Sequence, residues 1–403
     1  MSLMPVQDAL DAMLSQVSPL AGVEYLGLAA ALGRVLVKDI RAEVTVPAFD
    51  NSAMDGYAVR LAEAEPGKTL PLAGTALAGH AFEGEVPPDH CVRITTGAVL
   101  PAGLDTVVMQ EQVEQNGQGI RLLHVPKLGE HVRKAGEDIA PGQLLLSRGQ
   151  RLTAVDLGLL ASIGLAEVAV QRCIKAAVFS TGDELIAPGQ PLPAGHLYDS
   201  NRVVLSAMLK RLDCEVLDLG LLPDKPDRIR QAIQRAAEEA DVLITSAGVS
   251  VGDADYTRKL LSELGDIGFW KVAMKPGKPF AFGSLGKCWF FGLPGNPVAA
   301  VATMDLLVQP VLRRLAGEPI AKQQSLEAVA AESMKKAPGR ADFQRGFYQQ
   351  LNGQLQVKPI GRQSSAVLSG TAKANCYIAL EQERSQVEAG ETVRILPFYQ
   401  MLR

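Results

Sequence analysis

The chain is poor in the residues that several protein classes depend on. Its five cysteines, at 91, 173, 214, 288 and 376, are odd in number, widely spaced and without a Cys-x-x-Cys pair. That pattern excludes a disulfide framework or structural zinc as the expectation and fits a reducing cytoplasm. The five histidines form no metal constellation. Two tryptophans and 5% aromatic residues leave no stacking platform for single-stranded nucleic acid. Neither sign of charge dominates: 40 Lys and Arg stand against 44 Asp and Glu, a net −4. Such a balance provides no footprint for nucleic acid or for an anionic membrane. No apolar run is long enough to span a bilayer. The stretch 1–20 holds Asp8 and Asp11 and lacks a basic start, so it does not read as a signal peptide. A phosphate-bearing ligand would have to be met by a local cationic site.

What is present is an ordinary globular composition, 47% hydrophobic and 21% charged over 403 residues, enough for several domains. Val6, Ala9, Leu10, Met13, Leu14 and Val17 fall at helical spacing. A second short helix is expected at Leu26 to Leu32, closed by Gly33, and a strand at Val35 to Val37. From about 44 to 137, short β-like runs alternate with Gly and Pro, as in an all-β insert. Helix returns after Thr153, an expected N-cap, and stops at Gly164. From about 173 to 318 strands and helices alternate, which predicts a mainly parallel sheet covered on both faces. It ends in a long helix with proline in its first turn. Beyond 319 the pattern is β again, with an Asn-Gly hairpin in "FYQQLNGQLQV", and predicts a small barrel or sandwich.

In open parallel sheets ligands bind beyond the C-terminal ends of the strands, so the loops there carry the candidates. After "AAVFS", Ser180 and Thr181 offer hydroxyls, Gly182 admits a close backbone and Asp183 and Glu184 offer carboxylates; a plain Gly-Asp turn is the alternative. After "DVLITS", from Ser246 through Gly248 and Ser250, small residues suit a backbone nest for phosphate. Asp253 and Asp255 follow; one serves as an N-cap and the other is free for Mg2+. After "WKVAM", Lys275 and Lys278 sit in a Pro-stiffened "KPGKP" loop with Lys271 upstream, against the alternative of a solvated basic turn. "PGNP", Pro294, Gly295, Asn296 and Pro297, lies at a helix N-terminus, where capping alone competes with anion binding. Outside this domain, "RITTGA" offers Thr95 and Thr96, "RKAGEDI" offers Arg133, Lys134, Glu137 and Asp138, and "GRADFQRG" offers Arg340 and Arg345; each alone reads as a turn or exposed edge. There is no GxxxxGK[ST], no GxGxxG and no GxSxG. The central loops read as a phosphate-ligand site with a lysine side and a carboxylate side.

Eight motifs in order, "PAFDNSAMDGYAV", "ITTGA", "RKAGEDI", "STGDEL", "YDSN", "TSAGVSVGDADYT", "KPGKPFAFG" and "GLPGNPV", span nearly the whole chain. Together they resemble the molybdopterin molybdenumtransferase family, which includes bacterial MoeA and the E domain of gephyrin. The resemblance implies an α/β multidomain protein: a split N-terminal domain (1–43 plus 138–172), a β-rich insert (44–137), a MogA-like α/β domain (173–318) and a C-terminal β-barrel (319–403). It implies insertion of molybdenum from molybdate into adenylylated molybdopterin, with Mg2+ as cofactor and release of AMP. It further implies a homodimer whose cleft is shared between the α/β domain of one subunit and the insert of the other. A MogA-like adenylyltransferase and downstream cofactor-handling proteins are the implied partners.

Carried over by motif, the functional positions are Asp55, Thr96 and Asp138 in the N-terminal half and Glu184, Asp224, Asp255, Lys271 and Lys275 in the central domain. Lys278 stands beside these lysines, Pro294 and Pro297 would shape the next loop, Arg340 and Ser365 would face the oxyanion, and Glu184 with Asp255 would hold Mg2+. Two departures are visible. Ala247 precedes Gly248 where many members have Gly-Gly, and Ala299 stands where many have Ser after "GNPV". The second implies weaker molybdate binding rather than lost activity. A non-catalytic scaffold of the same fold is the alternative; the retained acids and lysines favour the enzyme. A nucleotide-utilising enzyme of another kind lacks a fingerprint.

Overall fold

The computed structural model describes residues 3–65, 67–117, 119–246, 256–399 and 401–402. The apolar runs of the middle of the chain build a six-stranded sheet in the spatial order Glu215–Leu222, Lys175–Thr181, Val242–Ser246, Cys288–Leu293, Pro279–Leu285, Asp266–Lys271. The first four strands are mutually parallel, and Pro279–Leu285 runs against both of its neighbours. Side chains alternate between the faces, as a period of two demands. Ala176, Val178 and Ile244 meet Leu205 and Leu209 of the helix Asn201–Lys210 on one face. Ala177, Phe179 and Leu243 meet Ile229, Ile233 and Ala236 of the helix Pro226–Glu239 on the other. Both faces are covered, which explains near-continuous hydrophobic strands. The opening helix, Val6–Gln16, buries Ala9 and Met13 in the first of these cores.

The long helix expected after "GNP" runs from Pro297 to Leu315 with one irregularity, a π turn at Met304–Val308. Pro310 explains its place. An α-helical proline lacks the N–H for the i−4 carbonyl and its ring collides with that carbonyl; a widened turn before it relieves both. The π turn buries Asp305, where desolvation pushes the carboxyl up to about 7 against the opposing pull of Arg313.

After this helix, Ala341–Leu351, Gln354–Pro359, Leu326–Ala330, Thr392–Pro397 and Cys376–Leu380 pair in turn, and the last closes on the first. The result is a closed five-stranded barrel. Its hairpin turns at Asn352 and Gly353, with φ of 51° and 79°, as expected from Asn-Gly. Met274–Lys275 adds in parallel to Ala341–Asp342, joining the central domain to the barrel wall.

The β-rich segment forms a second six-stranded sheet, in the order Thr106–Met109, Gly56–Val59, Cys91–Ile94, Thr69–Ala76, Gly119–Leu122, Val113–Gln115. The chain on either side of it meets again: Val23–Gly27 pairs with Glu167–Gln171, and Ala31, Leu36 and Ile40 share a core with Ile139, Leu146 and Leu160. Thr153 caps the helix Ala154–Ser162 through a reciprocal capping box with Asp156, and Gly164 follows with φ of 80°. The helix expected at Leu26 to Leu32 is instead the end of a strand followed by one 3-10 turn, Leu28–Ala30. Pairing with Glu167–Gln171 captures this segment, a tertiary contact overriding a weak local preference. Val35 and Leu36 make only isolated bridges rather than a strand.

Four cysteines, Cys91, Cys214, Cys288 and Cys376, are buried, and burial pushes each thiol up to about 12. Among the described residues no helix is long and apolar enough to cross a membrane.

Candidate active site

A cleft of about 990 Å³ opens where the C-terminal ends of the central strands face the barrel. Strand Val242–Ser246 ends in it at Ser246, strand Cys288–Leu293 delivers Pro294, Gly295, Asn296 and Pro297, and the "KPGKP" loop delivers Lys275 and Lys278. Glu184 enters from the loop after Lys175–Thr181, and Arg340 and Ser365 enter from the barrel side. Ten of the candidate positions from separate loops therefore share one cavity. It is of the size of small-molecule sites and combines an apolar lining with a few convergent polar groups.

The cationic side is built from the inside. The "KPGKP" loop lies tight on the following helix: a Cβ on Gly277 would stand 2.5 Å from Thr303 Cγ2, and its φ is 117°. Glycine is thus required twice over, for space and for backbone conformation. Lys275 Nζ donates to Asp342 Oδ2 at 3.1 Å, and Asp342 is only 3% exposed. Lys278 is exposed and Arg340 half-buried, and among the described residues neither head group has an ion pair within 4.0 Å.

The anchoring of the opposite wall was not legible in advance. Asn201 Nδ2 donates to Ser246 Oγ at 2.6 Å and to the Gly295 carbonyl at 2.7 Å, tying two strand-end loops together. Ser180 is buried, and its hydroxyl donates to Asp199 Oδ1 at 3.0 Å. Thr181 donates to Asp224, whose backbone N–H reaches Asp183 Oδ1 at 3.1 Å. Ser180, Thr181 and Gly182 are thus buried and Asp224 is exposed, and all four lie outside the cleft lining. Gly182, with φ of 148°, leaves room for the Glu184 carboxylate, which would lie 2.7 Å from a Cβ there. Lys271 is exposed and outside the lining; its carbonyl accepts from the Met4 N–H at 2.9 Å. At the helix start, the Val298 N–H donates to the Ser365 carbonyl at 3.0 Å, so that donor is already taken. Ala299 is buried and lines the cleft.

The candidates of the insert form a separate group. Asp55 Oδ1 accepts from the Thr96 N–H at 2.7 Å and from its hydroxyl at 2.9 Å. These two bonds hold the Asp55 carboxyl below the usual carboxylate range. Asp55, Thr96 and Asp138 are exposed, and none lines the cleft of its own chain. Asn51 and Ser52 do local turn work, through Asn51 Nδ2 to the Phe49 carbonyl at 3.1 Å and Ser52 Oγ to the Met54 carbonyl at 2.6 Å. Tyr57 is an anchor, buried beneath the Arg93 guanidinium at 5.0 Å, with Gln115 Nε2 donating to its hydroxyl at 2.7 Å. Gly56 is needed for packing: a Cβ would stand 2.0 Å from the Val108 carbonyl oxygen of the neighbouring strand.

Ala247, Gly248, Ser250, Asp253 and Asp255 lie outside the described residues. Among the described residues no cluster of three His, Cys, Asp or Glu side chains is placed to hold a metal ion. Arg345, expected at an exposed edge, is a fully buried side chain whose Nη2 donates to the Arg362 carbonyl at 2.6 Å. A strand alternation cannot distinguish a snorkelling arginine from one whose head is enclosed and bonded to a loop carbonyl.

Comparison with known proteins agrees with this architecture along the whole chain. Three family models match consecutive segments: "MoeA N-terminal region (domain I and II)" at 4–164, "Probable molybdopterin binding domain" at 177–314, and "MoeA C-terminal region (domain IV)" at 327–398. A molybdopterin molybdenumtransferase of Haemophilus influenzae is 48% identical over 99% of this chain and 100% of its own. A gephyrin of Dictyostelium discoideum is 31% identical over 97% of this chain and 62% of its own length. The crystal structure of a molybdopterin biosynthesis MoeA protein from Pyrococcus horikoshii superimposes with a TM-score of 0.85 at 26% identity, covering 98% of this chain and 100% of that one. The converging loops, the barrel and these full-length matches lead to one conclusion: the chain belongs to the molybdopterin molybdenumtransferase family, a family of transferases.

Proposed function

We propose that this protein inserts molybdenum from molybdate into adenylylated molybdopterin with release of AMP, a step in making molybdenum cofactor. The observation that supports this best is the convergence of Lys275, Lys278 and Arg340 on one cleft beside the Pro294–Pro297 loop. Molybdate is a tetrahedral dianion, and cationic N–H donors form the stronger, shorter hydrogen bonds with such oxyanions. Lys275 and Lys278 act as point charges, and Arg340 offers a planar fork that orients the oxyanion. The Ala299 methyl adds no donor there, so the cations and backbone N–H groups carry molybdate binding, more weakly than with an added hydroxyl. The substrate's pterin and adenylate parts fit a cavity of about 990 Å³ with substantial apolar lining.

Glu184 is a hard oxygen donor in the cleft, which suits Mg2+. Such an ion takes one or two protein carboxylates and completes its shell with water and substrate phosphate oxygens. Glu184 would be one ligand, and Asp255, carried over by motif, the second. When bound, Mg2+ supplies charge neutralisation at the phosphoanhydride. The protein's own cations then orient molybdate so that one of its oxygens, or water, reaches the phosphorus; no protein nucleophile is required. Asp55 and Thr96 of the insert, with Asp138 just beyond its border, complete the site across a homodimer, from a second copy. The protein works in the cytoplasm, receiving substrate from a MogA-like adenylyltransferase and passing cofactor to proteins that handle it.

The test incubates purified protein with adenylylated molybdopterin, molybdate and Mg2+. AMP release together with cofactor that reconstitutes a molybdoenzyme is the expected result. Absence of both overturns the reading.

A further inference from the structure

One barrel strand, Ala341–Leu351, sets three features of the cationic end of the cleft. Arg340 immediately precedes it, Asp342 holds Lys275, and Arg345 faces the loop that carries Ser365. Gln363, on that loop, lines the cleft, yet its amide is turned away from it and used up. Its Oε1 accepts from the Arg345 N–H at 2.9 Å, and its Nε2 donates to the carbonyls of Arg345 at 3.0 Å and Ile360 at 3.1 Å. The far end of the loop is fixed by the Val298 N–H on the Ser365 carbonyl. Asp342 presents a parallel case. A buried carboxylate beside an oxyanion site is repulsive to the ligand unless it serves a cation, and here it accepts from Lys275 and from Gln344 Nε2, the latter at 3.3 Å.

We infer that Gln363 and Asp342 are positioning residues for the oxyanion: Gln363 clamps the Ser365 loop to the barrel and Asp342 aims Lys275, neither touching substrate. This rests on the function proposed above. The test uses full-length Gln363→Met and Asp342→Asn, near-isosteric changes that remove the amide's hydrogen bonds or the charge. Rates are measured against molybdate at saturating adenylylated molybdopterin and Mg2+. Molybdate binding is measured by equilibrium dialysis, and hydrogen exchange is followed over 360–367. Losing one or two such bonds should raise KM for molybdate about tenfold and leave kcat within about twofold. Dialysis should show the same weakening, and exchange at 360–367 should quicken in Gln363→Met. An unchanged molybdate KM with unchanged binding overturns the inference. So does a loss of kcat that saturating molybdate leaves in place and that tracks a fall in melting temperature. If the wild type itself yields neither AMP nor cofactor, the proposed function fails; dialysis and exchange then still decide whether these residues order an oxyanion site.

Discussion

The cleft wall and the β-rich insert carry candidate groups of the same chemical kinds, but they hold them differently. In the cleft, polar groups are backed by buried partners: Lys275 by Asp342, Ser246 by Asn201, and Asp199 by Ser180. In the insert, the Asp55 and Thr96 side chains bond to each other at the surface. Preorganised groups in a concavity are ready to bind a ligand as they stand. An exposed pair on a rigid sheet is ready to complement something else. The contrast supports a division of labour in which one region forms the site and the other finishes it from outside.

The largest expected effect comes from breaking the cleft side. Arg340→Ala and Lys275→Ala should each lower kcat/KM for molybdate by about a hundredfold or more, since each removes a preorganised cation from the developing charge. Melting temperature should stay within a few degrees for Arg340→Ala, whereas Lys275→Ala should lower it further because it strips the buried Asp342 carboxylate of its cation. Arg340→Lys should recover only part of the loss, as the planar fork is not replaced. Steady-state kinetics with calorimetry decides this; equal losses in Ala and Lys variants would leave the charge without a role.

Breaking the insert side should cost less and should be repairable by mixing. Asp55→Ala removes an exposed carboxylate held below its usual range by Thr96, so stability should hold while activity falls about tenfold or more. Co-expressed with Lys275→Ala, it should regain about a quarter of wild-type activity if subunits pair at random. In that mixed dimer one cleft is intact only when Asp55 and Lys275 of one site come from different copies. No recovery on mixing would place both residues in the service of a single chain.

These contrasts were only partly legible in the sequence. Lys275 and Lys278 stood out because two prolines and Gly277 constrain their loop, and that constraint is local. Asn352-Gly353 and Thr153 were legible for the same reason: turn and cap chemistry is written within four residues. Asp342 lies 67 residues from the lysine it holds, and nothing near it announces that pairing. Gln363 reads as an ordinary loop glutamine until the barrel closes and brings the backbone of Arg345 to its amide. Ser180 and Thr181 were legible as hydroxyls at a strand end, but not as groups already bonded to Asp199 and Asp224. Local rules state what a residue is able to do; which partner it meets is decided by topology.

A smaller effect separates the central domain from the insert in acid, through Asp241 at the end of the sheet opposite the cleft. Burial alone would raise the Asp241 carboxyl, but the paired bonds from Arg172, at 2.7 Å each, and the Lys175 N–H hold it below 3.8. Asp50, in the insert, is held down by Lys134 and the Ala135 N–H, but the pair is more open to solvent, with the Asp50 side chain 38% exposed. For both, the folded value lies below the unfolded one. The stabilisation is therefore present above about pH 4 and is lost as pH falls through the folded value. Asp241→Asn should lower stability at pH 7 and flatten its fall below pH 4. Asp50→Asn should do the same more weakly, because solvent screens an exposed pair. Denaturant midpoints measured from pH 7 to pH 3 give both slopes, and equal slopes would erase the distinction between the regions.

The smallest effect supplies the control that the comparison needs. Thr153 accepts from the Asp156 N–H through its hydroxyl, and Asp156 returns a bond to the Thr153 N–H at 2.8 Å. This box caps the helix Ala154–Ser162 beside the root of the insert and touches neither group of candidates. Thr153→Ala should cost about 1 kcal/mol of stability, seen as a small shift in denaturant midpoint. It should leave kcat and the molybdate KM unchanged. If activity also falls, then loosening the insert's base alone disturbs catalysis, and losses in Asp55→Ala would have to be reassigned from the carboxylate to the orientation of the sheet that carries it.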